Sequence, residues 1–447
     1  MKIIITGTFG IGTLTRLLSR GDNEITIIND TDNERMEKIA SEYDILTMHA
    51  APTDQQALKD AGAGNADLFI AVTLDQNKNI VACGIAKRLG AKKTVAKVVE
   101  WKYTEPQMQE TLEGMGIDSV IYPEALAAKD IISGLKMSWV RQRWDVHDGA
   151  LVLLGIKIRE TCRIMNQPLK NISGPDDPYH VVAIKRGGET IMPSGNDEMQ
   201  LYDLAYFMTT KNFIPRIREL VGKETYADVK NVMMMGGGST AVRAIRELPD
   251  YMDVKLFEIN EQRCEELVEK FDRSNVMIIH GDGRDVSLLK EENIGNTQAF
   301  VALTNNDETN ILACIMAKRM GVRKTVAMVE NLDYMAMATS LDIGTIINKR
   351  AITGSYIYQM LLDANVLNVR FLMTVNADIA EFIPQEGSKV TKKPVKELNL
   401  PPTVNIGGLV RNGVGMLVSG NTQIQAGDEV MVFCPSGDMK KMEKLFV

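Results

Sequence analysis

The chain repeats itself, and this limits its folds more than any other feature. Laid over itself at an offset of 231, residues 69–97 and 300–328 agree at 15 of 29 positions. The agreement includes Asn79 with Asn310, Cys83 with Cys314, and Thr94-Val95-Ala96 with Thr325-Val326-Ala327. A second register, offset 225, pairs Arg186 with Arg411, Gly188 with Gly413, Ser194-Gly195-Asn196 with Ser419-Gly420-Asn421, Gln200 with Gln425 and Asp203 with Asp428. A duplicated segment must supply a foldable unit twice, so any acceptable architecture is two copies of one plan. Two registers mean that each copy holds a large and a small lobe. Length alone suggests about three domains at roughly 150 residues each; the repeat makes the count four lobes, expected over 1–135, 136–222, 228–362 and 363–447.

In the first large lobe, short β-branched runs alternate with amphipathic stretches. Ile3 to Ile5, Ile25 to Ile28, Leu46 to Met48, Leu68 to Val72 and Thr94 to Val99 read as strands; 12–20, 33–42, 54–61, 78–89 and 105–114 read as helices. That pattern predicts α/β lobes of Rossmann-like type, each a doubly wound parallel sheet with helices on both faces. The small lobes differ. Val152 to Ile158, Val181 to Lys185 and Leu204 to Met208 are separated by Gly187-Gly188 and Pro193-Ser194-Gly195, which fits a compact α+β sheet with one or two short helices. Pro123 to Leu135, and its counterpart Arg350 to Leu362, read as long crossover helices and as candidate hinges or dimer contacts, with ordinary lobe packing as the alternative.

Strand 232–235 runs into Gly236-Gly237-Gly238-Ser239-Thr240-Ala241 and then into a helix, and Glu258 follows 22 residues after Gly236. This is G-x-G-x-x-A in the strand-turn-helix setting that gives the motif meaning. Gly236 permits the tight turn, Gly238 lets the backbone approach a pyrophosphate, and Ala241 lets the helix lie close to the sheet. The amides at the helix start can meet the anion, and the Glu258 carboxylate can accept from ribose hydroxyls. The first copy reads Gly7-Thr8-Phe9-Gly10-Ile11-Gly12, with Asp30 after the next strand. Here Phe9 stands where a side chain obstructs the diphosphate. Two readings stand: Gly10 gives the loop another path with Phe9 turned aside, or this half keeps the fold with altered binding.

Open α/β sheets bind ligands at the carboxyl ends of their strands, which adds Thr73-Leu74 and Thr304-Asn305 to the candidates. Asp282 can accept an adenine amino hydrogen; the first copy has His49-Ala50-Ala51-Pro52 there and lacks the carboxylate. Lys97 can offset the charge of a terminal phosphate, although its counterpart is Met328. Each has a plainer reading too, with the threonines as helix caps and Lys97 as a solvated side chain.

Several classes are disfavoured. Lys plus Arg total 51 against 58 Asp plus Glu, a balance of −7 that argues against nucleic acid as a partner. No stretch approaches the roughly 18 apolar residues of a membrane span, and the apolar start is too short for a signal-peptide core, so residence in the cytoplasm is expected. Five cysteines without a CxxC pair and four scattered histidines indicate neither a disulfide framework nor a metal site. The small lobes are poor in acid/base residues and no hydrolase or P-loop motif occurs, so no enzyme activity is expected. Cys83 and Cys314, at equivalent helical positions, suit core packing.

These turns, the repeated strand ends and the closing Ala426-Gly427-Asp428-Glu429 resemble the TrkA-type peripheral subunit of Trk potassium uptake systems, a family with tandem RCK, or KTN, domains. The resemblance covers essentially the whole chain. It implies a non-catalytic, nucleotide-sensing subunit, a homo-oligomer (dimer or tetramer ring) on the inner face of the cell membrane, bound to a TrkH-type potassium-translocating protein. Gly7 to Gly12, Asp30, Thr73-Leu74 and Lys97 would frame one nucleotide site; Gly236 to Ala241, Glu258 and Thr304-Asn305 would frame the other. The expected cofactor is NAD(H), with ATP or ADP as the alternative, since neither loop carries the arginine that some relatives place there. The rival readings are a sensor for another cation transporter and an NAD-dependent oxidoreductase.

Overall fold

The computed structural model describes residues 1–20, 23–31, 33–172, 179–362, 366–372 and 377–447, so parts of both expected small lobes lie outside the described residues. The first large lobe is a six-stranded parallel sheet of β1 (Lys2–Thr6), β2 (Glu24–Asn29), β3 (Leu46–His49), β4 (Leu68–Ala71), β5 (Lys93–Lys97) and β6 (Ser119–Ile121), in the order 3-2-1-4-5-6. Ile3, Ile4 and Ile5 are fully buried, as a central strand covered on both faces requires. The order reverses between β1 and β4, which opens the crevice where such sheets take ligands.

The first small lobe is a five-stranded antiparallel sheet of β7 (Gln142–Val146), β8 (Leu151–Lys157), β9 (Tyr179–Arg186), β10 (Glu189–Ile191) and β11 (Leu204–Thr209), ordered 10-9-11-8-7. The second copy repeats both plans. Parallel strands β12 (Asn231–Met235), β13 (Asp253–Glu258), β14 (Val276–His280), β15 (Ala299–Ala302), β16 (Lys324–Met328) and β17 (Thr345–Ile347) run 14-13-12-15-16-17. Antiparallel β18 (Val366–Leu372), β19 (Ala377–Phe382), β20 (Asn405–Arg411), β21 (Val414–Leu417) and β22 (Glu429–Pro435) run 18-19-22-20-21, the same small-lobe order read from the other edge.

Residues repeated at offset 225 form one clamp twice. Arg186 donates from Nε and Nη2 to the Asp203 carboxylate at 3.0 and 2.8 Å, and the Gln200 amide donates to Asp203 Oδ2 at 2.7 Å. Arg411 meets Asp428 at 2.8 and 2.7 Å, with the Gln425 amide at 2.7 Å. Their repetition therefore reflects a structural need, pinning a turn to the strand beside it.

Packing divides the chain into two compact units, Met1–Leu126 with Lys349–Asp363, and Ala127–Asn348 with Ala364–Val447. The crossover helices explain the division. Lys349–Gln359, which follows the second parallel sheet in the chain, packs in the first unit on the helix Ile11–Leu18, so closely that a Cβ on Gly354 would stand 2.5 Å from Leu17 Cδ1. In the second unit the end of Pro123–Leu135 lies against β16 and β17, with the Gly134 position 3.8 Å from Lys324 Nζ and from Thr345 Cγ2. That unit holds both antiparallel sheets, and one apolar cluster joins Leu153, Tyr206 and Met208 of the first to Ile379, Met431 and Phe433 of the second.

Candidate functional site

The second glycine turn lies at the switch point of its sheet. Gly236 has φ 97°, a left-handed conformation favouring glycine, and a Cβ there would sit 3.1 Å from the Leu303 and Thr304 backbone. The Gly237 peptide is held at both ends: its N–H donates to Glu258 Oε2 at 2.7 Å, and its carbonyl accepts from Nε and Nη2 of Arg263, both at 3.0 Å. Glu258 Oε1 also accepts from the Asn260 amide at 2.9 Å. Each carboxylate oxygen keeps a second lone pair, so the group can still accept from ligand hydroxyls. Gly238 is the N-cap of the helix Ser239–Glu247 and provides no side-chain cap, while a Cβ on it would meet nothing within 4 Å. Ser239 is exposed, and no side chain of the N-cap residue takes up the first-turn amides, as an anion site at a helix start requires. Thr240 and Ala241 are buried in the seat of the helix against the sheet.

The first glycine turn takes a different path. Gly7 has φ 101° and fits so tightly that a Cβ would stand 2.4 Å from the Thr73 nitrogen. The Phe9 amide donates to the Val72 carbonyl at 3.0 Å, and Gly10, left-handed at φ 62°, becomes the N-cap of the helix Ile11–Leu18. By the motif's spacing Gly10 corresponds to Ser239, the first helical residue of the second copy, so this helix starts one residue late. Gly10 thus gives the loop another path, which is the backbone part of the first reading open from sequence. Thr8 and Phe9 are half-buried, Ile11 is fully buried, and the Gly12 position is open.

Phe9 is turned toward cations. Its ring centre lies 4.9 Å from Lys97 Nζ and 6.0 Å from Lys349 Nζ. Lys97 is 4% exposed, and its ammonium makes no hydrogen bond or ion pair among the described residues. Burial lowers its pKa from the usual lysine value; Glu124 opposes the shift and Lys349 reinforces it. Lys349 is paired with Glu124 at 3.4 Å, and the Arg350 side chain passes 3.3 Å from the Gly10 Cβ position. Lys97 is thus no solvated surface lysine. Lys349 and Arg350 escaped the sequence reading because only packing brings a helix more than three hundred residues downstream to this loop.

The remaining candidates separate into held and open groups. Thr73 and Thr304 do not cap helices; Asp75 and Asn306 do. Instead the Thr73 hydroxyl donates to Asn79 Oδ1 at 2.7 Å, and Asn79 Nδ2 donates to the Lys97 carbonyl at 2.8 Å. Thr304, Asn310 and Met328 repeat this at 2.7 and 2.9 Å. Asn79 and Asn310 therefore tie together the two strand ends that border each crevice, and their identity in both copies was the available signal. Leu74 is 76% exposed, and Asn305, at the equivalent position of the second copy, is exposed as well. Asp30, half-buried at the end of β2, makes no hydrogen bond or ion pair among the described residues. Asp282 is gripped by Arg284, at 2.7 Å from Nη2, which lowers its carboxyl pKa and engages lone pairs that an adenine would use.

The TrkA-N domain family matches residues 3–123 and 232–349, and the TrkA-C domain family matches 379–447. The Trk system potassium uptake protein TrkA of Azorhizobium caulinodans is 30% identical over 456 aligned residues, covering 100% of this chain and 98% of its own. That of Halomonas elongata is 29% identical, at 100% and 98% coverage. Among solved structures, the GsuK RCK domain aligns with a TM-score of 0.60 at 16% identity over 100% of this chain and 94% of its own. The GsuK channel bound to NAD aligns with a TM-score of 0.57 at 14% identity, over 100% and 78%. Both large lobes match the same family, and the alignment to the Azorhizobium protein runs the full length; the chain belongs to the TrkA family of Trk system potassium uptake proteins.

Proposed function

We propose that the chain is a non-catalytic regulatory subunit that senses a nucleotide and controls potassium transport through a TrkH-type membrane protein. The observation that carries this reading is the second glycine turn, with its uncapped helix start, the open space at Gly238 and the Glu258 carboxylate within one crevice. Gly236, Gly237, Gly238, Ser239, Thr240, Ala241, Glu258, Thr304 and Asn305 are the residues assigned to it, with Asp282 at its rim. The first site, of Gly7 to Gly12, Asp30, Thr73, Leu74 and Lys97, is assigned altered binding because Phe9 sits against its lysines. NAD(H) fits the second turn best: the acidic residue suits a ribose diol, and backbone amides suit a bridging pyrophosphate. Large lobes at 1–135 and 228–362 and small lobes at 136–222 and 363–447 serve as sensor and coupling parts. The name of the Azorhizobium relative supports potassium transport as the process.

Nucleotide acts on a transporter only through different affinities for two conformations of the subunit, a coupling of about 1–3 kcal/mol. No helix among the described residues is long and apolar enough to cross a membrane. In this reading the partner supplies the pore, and the subunit works as a homo-oligomer on its inner face. The test is reconstitution of the full chain with a TrkH-type protein in vesicles, with potassium flux followed as NAD, NADH, ADP and ATP are added. Flux that depends on the subunit and shifts with one nucleotide supports the reading. Flux indifferent to subunit and nucleotide alike ends it.

A further inference from the structure

Away from both glycine turns, four cationic side chains meet around a single carboxylate in the second unit. Arg141, which leads into β7, donates from Nη2 to Asp342 Oδ1 at 2.7 Å; Arg159, just after β8, donates from Nη2 to Oδ2; Lys318 donates to Oδ2 at 3.1 Å. Lys157, the last residue of β8, is half-buried beside them and makes no hydrogen bond or ion pair among the described residues. The other carboxylate acting on Lys157, Asp203, is engaged by Arg186. Four cations therefore face one available anion, an excess of three positive charges.

The donor count leads the same way. A guanidinium carries five N–H donors. Arg141, whose side chain is 17% exposed, directs one to Asp342, and that is its side-chain hydrogen bond within the described residues. Arg159 likewise bonds to Asp342, while its guanidinium lies 5.5 Å from the Tyr202 ring centre. Like charges brought together at a half-buried site repel one another: burial, Arg159 and Arg141 all lower the Lys157 pKa, against the opposing pull of Asp342. Lys324 beneath them is fully buried and adds no carboxylate, donating to the Val140 carbonyl at 2.6 Å and to Thr345 Oγ1 at 3.0 Å. Tyr226, which acts on Arg141, supplies no carboxylate, and Lys223 and Arg323 lie against its ring.

We propose that Arg141, Lys157, Arg159 and Lys318 form a binding site for a compact multivalent phosphate. Planar guanidinium forks and lysine ammonium groups are the side chains that hold phosphate oxygens best, and Asp342 keeps the arginines oriented while leaving Lys157 without a counter-charge. The site is separate from the nucleotide crevice. Lys318 is the penultimate residue of the helix Asp307–Arg319, which starts two residues after Asn305, so about 17 Å of helix lies between the two. Three of the cations come from the first small lobe, whereas Lys318 and Asp342 come from the second large lobe. A bound phosphate would therefore fasten those two lobes together and alter their mobility without touching either glycine turn.

The experiment is calorimetric titration of the full chain with sodium pyrophosphate at fixed ionic strength, for wild type, Lys157→Gln and Asp342→Asn. The glycine turns are common to all three proteins, so differences report the cluster. Lys157→Gln is expected to weaken pyrophosphate roughly tenfold or more, the loss of one charge-assisted contact. Asp342→Asn should tighten it, because the competing anion is removed and asparagine tolerates the left-handed φ of 53° at that position. Orthophosphate and glycerol phosphate, titrated alongside, tell free from esterified phosphate by which binds more tightly in the Lys157-dependent component. Pyrophosphate affinities within twofold of one another in all three proteins would overturn the proposal, as would an Asp342→Asn protein that stays folded by circular dichroism and binds more weakly.

Discussion

The Lys97 ammonium lies 4.9 Å from the centre of the Phe9 ring, where the second copy has Met328 and Gly238. The aromatic face thus occupies the direction from which a phosphate would reach this lysine. Phe9→Gly should open the first crevice and tighten nucleotide binding there by roughly tenfold, about 1.4 kcal/mol. The mirror change, Gly238→Phe, should weaken binding in the second crevice. Titration calorimetry of both variants decides the matter, and a null result in both would remove any role for this position. Lys97→Met, which copies the second half, is expected to leave the fold at least as stable in urea, because a buried ammonium without a hydrogen bond is lost.

Glu258 both shapes the second turn, through the Gly237 amide at 2.7 Å, and points a carboxylate into the crevice. Glu258→Gln keeps the shape and one acceptor while losing the charge. Dinucleotide affinity should fall by about 1.5–3 kcal/mol, a factor of roughly 10 to 150, as for hydrogen bonds to a charged partner. The thermal midpoint without ligand should move little. Equal NAD titrations for variant and wild type would separate this carboxylate from ribose recognition.

Asp203 and Asp428 are 1% and 2% exposed, and each accepts from an arginine and a backbone amide. The arginines are part-exposed, so removing the charge from one of these carboxylates costs about 1.5–3 kcal/mol, as for hydrogen bonds to a charged group. Asp203→Asn and Asp428→Asn should therefore lower unfolding free energy by similar amounts, read from urea midpoints. Both are expected to leave the nucleotide affinity of the large lobes unchanged. A midpoint close to wild type for either would mean that its clamp is dispensable.

What the sequence made legible was what is local or repeated. The glycine turns, their acidic partners and the long strands follow from spacing along one β-α-β segment, and the clamps announced themselves by occurring twice. Three-residue edge strands such as Ser119–Ile121 escaped notice because so short a run carries no period. The path of the first loop was undecided until Gly10 could be seen left-handed beneath Arg350. Contacts made by the exchanged crossover helices, and the meeting of Arg141 and Arg159 with Asp342, join segments far apart in the chain. No local pattern encodes them.

Glu381 supplies a test of pH dependence. It is 2% exposed on β19, its carboxyl is pushed up to about 7 from 4.5, and burial is the main cause. Asn368 Nδ2 donates to it at 2.6 Å and favours the charged form, whereas neighbouring Glu429 favours the neutral one. His147, whose Nδ1 lies 2.9 Å from Glu429 Oε2, draws the Glu381 pKa back down. Because the folded value is raised, the native state binds more protons than the unfolded chain between about pH 4.5 and 7. The stability this carboxyl contributes is fully present below about 4.5 and is lost as the pH rises through 7. Glu381→Gln, always neutral and still able to bond, should remove that part of the pH dependence and make the protein more stable than wild type at pH values above the window. The comparison is urea unfolding of both proteins in steps from below to above the window. A difference between them that stays flat throughout would mean that Glu381 is ionised in the fold and that its neighbours, rather than its burial, set its charge.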